Sequence, residues 1–110
     1  MHVQLSQENL RLLITEKSAK QYQQSMNALD LESSTEALGR LESQAGGDKD
    51  ALQQIRESKE YKEIAKLQTL YNVKNEQLGL ELQEINQQID DFKALRDNSI
   101  KEATTWDCFN

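Results

Sequence analysis

The chain has 110 residues, of which 29% are charged, 36% hydrophobic and only 5% aromatic, and its net charge is −6. An ordinary globular domain is about 45–50% apolar, so this composition argues against a large compact core and favours helices that each bury a narrow stripe. The acidic balance also opposes nucleic-acid binding and docking on anionic lipid, both of which rely on Lys and Arg.

No proline interrupts the chain, so helices can run for many turns. Ser6, with Leu5 before it and Leu10 four places after it, has the form of an N-cap with a hydrophobic staple. A first helix is expected over residues 6–45. Leu12, Ala19, Tyr22, Met26 and Leu29 follow heptad-like steps along it, with Thr15 filling one gap, while Leu10, Leu13 and Ile14 widen the face near its start. Residues 30–34 leave two alternatives open. Ser33 with Glu36 resembles a capping box and predicts a break; a continuous helix with its polar residues outward fits equally well. Ala37, Leu38, Leu41 and Ala45 continue a modest apolar stripe.

Gly46-Gly47, followed by Asp48 and Asp50, reads as helix stop, turn and the N-cap of the next helix. One helix is then expected over 48–104, with 105–110 as a tail. Its strongest signal is Leu78, Leu82, Ile85, Ile89 and Phe92, spaced four, three, four and three apart, which is the spacing of a seam for a partner helix. The expected fold is therefore all-α: a single domain over 1–110, an elongated antiparallel helical hairpin or coiled coil with a very long C-terminal helix.

Folding back at Gly46-Gly47 makes facing residue numbers add to about 93, placing Met26 near Leu67, Tyr22 near Tyr71 and Leu10 near Leu82. Charge agrees with that direction, because Glu76, Glu81, Glu84, Asp90 and Asp91 occur with no cation between residues 75 and 92, opposite Arg11 and Lys17. The same register leaves Ile89, Phe92, Leu95, Ile100, Trp106 and Phe109 beyond the end of the first helix. They are the expected protein-interaction residues, since a contiguous apolar patch of this size calls for a partner.

Motifs for chemistry are missing from the sequence. The four glycines form no phosphate-cradling loop, and His2 is the only histidine. A di-metal carboxylate site of the bundle type needs Glu-x-x-His elements, which the acidic residues here do not supply. Cys108 stands alone beside Asp107, a neighbour that disfavours the thiolate. No catalytic residue, cofactor, metal or small-molecule substrate is expected. The segment Tyr71-Asn72-Val73-Lys74-Asn75-Glu76-Gln77, together with the chain's size, resembles needle and rod subunits of type III secretion systems, although Gly46-Gly47 stands where needle subunits carry a proline-containing turn.

The N-terminus lacks the basic flank and apolar core of a signal peptide, and no apolar run is long enough to span a membrane. The expected location is cytoplasmic, or outside after export without a cleaved signal. The expected function is that of a non-enzymatic assembly protein acting through coiled-coil contacts with its own copies or a helical partner. The alternative is a small acidic adaptor or chaperone-like module that binds a basic or amphipathic helix through Glu76, Glu81, Glu84, Asp90 and Asp91.

Overall fold

A computed structural model describes the backbone of residues 2–109 and the side chains of residues 7–98, 100 and 101. The fold is all-α, an antiparallel helical hairpin of α1 (His2–Ser43), α2 (Lys49–Glu57) and α3 (Lys59–Phe109). Contacts gather the chain into two compact units. One joins the start of α1, to Tyr22, with α3 from Gly79 onward; the other comprises Gln23–Leu78.

In the first unit, Leu10, Ile85 and Ile89 are buried, and Leu13 and Phe92 pack against them. Each buried aliphatic side chain contributes roughly 1.5–3 kcal/mol. Leu82 is half-buried. Lys17 and Lys20 occupy the next positions of the α1 seam, and Lys20 Nζ pairs with Glu81 Oε2 at 2.7 Å.

In the second unit the interface between α1 and α3 is substantially polar. Asn27 and Ser34 are buried, as are Leu38 and Leu78. Asn27 Nδ2 donates to the Tyr71 carbonyl at 2.7 Å, Gln68 Nε2 donates to Thr35 Oγ1 at 3.0 Å, and the Tyr61 hydroxyl donates to Glu42 Oε1 at 2.5 Å. Bonds of this kind fix direction and register more than they add stability, because each replaces a bond to water.

Several expectations are corrected. Helical backbone begins at His2, so Ser6 lies inside α1 and does not cap it. Of the two alternatives at residues 30–34, α1 takes the continuous one. Ser34 and Thr35 turn their hydroxyls back onto the Leu31 carbonyl at 2.8 and 2.9 Å, which satisfies them within the helix. At the other end, α3 runs on to Phe109 through the segment expected to be a tail.

The turn lies where expected, with Gly46 at φ 59° and Gly47 at φ 86°, a left-handed conformation that only glycine adopts without strain. Asp48 caps α2 by accepting from the Asp50 N–H at 3.0 Å. The return path, however, is two helices and not one. Ser58 adopts an extended ψ of 150° between α2 and α3. Its Oγ donates to the Ile55 carbonyl at 2.6 Å and accepts from the Tyr61 N–H at 3.3 Å, so one residue closes α2 and opens α3.

The break has a cause in the spacing of half-buried residues. Ile55, Ser58, Tyr61 and Ile64 follow at steps of three, whereas the seam beyond them alternates three and four. Consecutive three-residue steps overwind a helix, and an interruption at Ser58 resets the phase. With residues spent in the turn and at this break, α1 residues meet partners about five to ten places further along α3 than a simple fold at Gly46-Gly47 gives. Asn27 reaches Tyr71, Lys20 reaches Glu81 and Thr35 reaches Gln68.

Candidate protein-interaction surface

On α1 the residues turned inward repeat at alternating steps of three and four: Leu10, Leu13, Lys17 and Lys20 in the first unit, and Gln24, Asn27, Leu31, Ser34, Leu38 and Leu41 in the second. A second series with the same spacing, Leu12, Thr15, Ala19, Tyr22, Met26 and Leu29, is offset by two residues. At about 100° per residue that offset puts it close to the opposite side of the helix. Its large members are open to solvent, Leu12 and Tyr22 at 67%, Met26 at 44% and Leu29 at 57%. The face on which the sequence placed the intramolecular contact is therefore the outer one, and Met26 and Tyr22, expected inside, are exposed.

The shifted register also changes the fate of the late seam. Ile89 is buried against Leu10 and Ile85, and Phe92 packs on the same cluster, so α1 covers two residues expected to lie bare. Leu95 and Ile100 remain exposed. Trp106 and Phe109 fall outside the described side chains.

Along α3, Leu67, Leu70, Val73 and Leu80 are also exposed. Eleven large apolar side chains are exposed against five buried ones among the described residues, which is apolar surface available to a partner. An open groove of about 620 Å³ lies where α2 meets α3, lined by Arg56, Tyr61, Lys62, Ala65, Lys66, Thr69 and Leu70.

The acidic residues are divided in their surroundings. Glu81 is half-buried and held by Lys20, whereas Glu76, Glu84, Asp90 and Asp91 are exposed. Gln87 Nε2 donates to Asp91 Oδ1 at 3.1 Å. Among the described residues no three His, Cys, Asp or Glu side chains come together as a metal-holding group.

Two titratable groups are shifted by cross-helix contacts. The hydrogen bond to Glu81 raises Lys20, and burial opposes it. For Tyr61 the bond to Glu42 raises the phenol, with burial acting in the same direction. Arg56 Nε lies 3.7 Å from the same Glu42 carboxylate. Both shifts belong to the joining of helices.

No described helix is long and apolar enough to cross a membrane. Compared with protein-family models, curated proteins and solved structures, the chain matches none.

Proposed function

We propose that the protein is a non-enzymatic assembly protein that pairs its outer helix faces with helices of another copy or of a helical partner. The observation that carries this reading is that each unit leaves members of the same heptad series of α1 exposed, Leu12 and Tyr22 in the first and Met26 and Leu29 in the second, opposite a partly polar set of inward positions. A helix with apolar stripes on two sides is shaped for two neighbours, and the hairpin supplies one. Within their own units Lys20 and Asn27 hold α1 to α3 through Glu81 and the Tyr71 carbonyl, while the apolar series is left outside.

Substitution on that outer stripe tests the reading. The double variant Tyr22→Glu, Met26→Glu changes two exposed side chains, so its helical circular dichroism is expected to match the wild type while its solution mass falls to that of a single chain. A wild type that is already monomeric and captures no helical partner, or a variant that associates unchanged, would overturn it.

A further inference from the structure

We propose that the groove where α2 meets α3 receives the outer stripe of α1 from a second copy of this chain, in a head-to-tail contact; this rests on the assembly reading above and names its interface. Both surfaces belong to the unit Gln23–Leu78. The stripe contributes Met26 and Leu29, both exposed, and the groove is lined by residues of α2 and α3 alone. The two surfaces share no residue, so one copy can offer both at once.

Apolar walls and cationic tips characterise the groove. Tyr61, Ala65 and Leu70 line it, and Lys62 and Lys66 add aliphatic stems that end in ammonium groups. No carboxylate is among the lining residues. Arg56 already lies 3.7 Å from Glu42, but Lys62 and Lys66 are exposed and have no ion pair among the described residues. A groove of this chemistry suits an amphipathic helix with acidic flanks.

Charge selects the second copy as occupant. Between residues 56 and 74 five cations outnumber three carboxylates, whereas between residues 23 and 39 there are three carboxylates, Asp30, Glu32 and Glu36, and no cation. With Met26 and Leu29 at the a and d positions of the exposed stripe, Asp30 falls at e and Glu32 at g, one on each flank. All three carboxylates are exposed and without an ion pair among the described residues. Seated in the groove, Met26 and Leu29 cover Tyr61, Ala65 and Leu70, while Asp30 and Glu32 reach Lys62 and Lys66. The contact joins two different faces, so a copy bound through its stripe still offers its groove to the next.

Complementation between two disabled chains tests this by sedimentation equilibrium, with circular dichroism recording helix content. Lys62→Glu with Lys66→Glu disables the groove, and Met26→Glu with Leu29→Glu disables the stripe. Each variant alone is expected to associate at least about tenfold more weakly than the wild type, since like charges then meet across the contact. Mixed in equal amounts they retain one intact stripe and one intact groove, so the mass is expected to rise to that of two chains and stop there. A mixture no heavier than its components, or one that grows beyond two chains, would overturn the proposal. A groove variant that associates as the wild type does overturns this docking and leaves the assembly reading standing, whereas a monomeric wild type overturns the self-docking outright. A second measurement avoids the charged variants: Leu29→Cys and Thr69→Cys, each with Cys108→Ser, are oxidised mildly, separately and together. Disulfide-linked dimers are expected chiefly in the mixture; equal linking in the separate samples, or none in the mixture, contradicts the head-to-tail contact.

Discussion

Ile85 and Leu12 are aliphatic residues with opposite surroundings, one 5% exposed in the first unit's core and the other 67% exposed on the outer stripe. Ile85→Ala removes buried methyl groups and leaves a cavity, so it is expected to lower unfolding free energy by about 2–4 kcal/mol in urea titration. Leu12→Ala is expected to stay within about 0.5 kcal/mol under monomeric conditions. Equal losses at the two positions would contradict the assignment of inner and outer faces. Tyr61→Phe deletes a hydrogen bond to Glu42 and is expected to cost about 1 kcal/mol, since the pair is only part-buried. Lys20 and Tyr61 both have folded pKa values raised above their ordinary ones. Their stabilising effect is complete below pH about 10 and is lost as pH rises through the raised values. Melting temperature followed from pH 8 into that alkaline range is expected to fall less steeply in the double variant Lys20→Met, Tyr61→Phe than in the wild type; parallel curves would show that neither contact is linked to folding.

The elements differ in how plainly the sequence displays them. The seam of α3 was legible because Leu78, Leu82, Ile85 and Ile89 keep heptad spacing with apolar side chains, and three of the four are buried. The turn was equally open to reading, because paired glycines before an Asp cap have few other uses. On α1, hydrophobicity points the wrong way. Between residues 10 and 29 its outer series holds Leu12, Tyr22, Met26 and Leu29, whereas its inner series passes through Lys17, Lys20, Gln24 and Asn27, so over that stretch the more apolar stripe is not the one facing α3. The shortfall inside is met by cross-helix polar partners such as the Tyr71 carbonyl and Glu81, which a pattern of apolar positions cannot reveal. Ser58 hid for a different reason. Serine is no strong helix breaker, and the signal lay in the three-residue steps on either side of it. Ser58→Ala removes the hydroxyl that serves both helix ends and is expected to lower the urea midpoint by an amount worth about 1 kcal/mol. A stabilised variant would mean that α2 and α3 gain by fusing, against the phase-reset explanation.

At the scale of the whole molecule, the exposed apolar residues changed when the register moved. Ile89 and Phe92, which a fold about Gly46-Gly47 leaves bare, lie under α1, and the exposed apolar surface is redistributed to the outer stripe of α1, the outer face of α3 and the positions Leu95 and Ile100. Sequence periodicity located the stripes but not which of them the chain itself would cover, because that choice depends on where α1 meets α3 and on the break at Ser58. Burying these faces between chains is the driving force assigned to assembly, and charge decides orientation. Sedimentation equilibrium of the wild-type chain across the micromolar range tests this most directly. The expected mass is twice the 12.7 kDa of one chain, or larger, and rises with concentration. A single 12.7 kDa species at every concentration, with full helical circular dichroism, would contradict self-association through the outer faces.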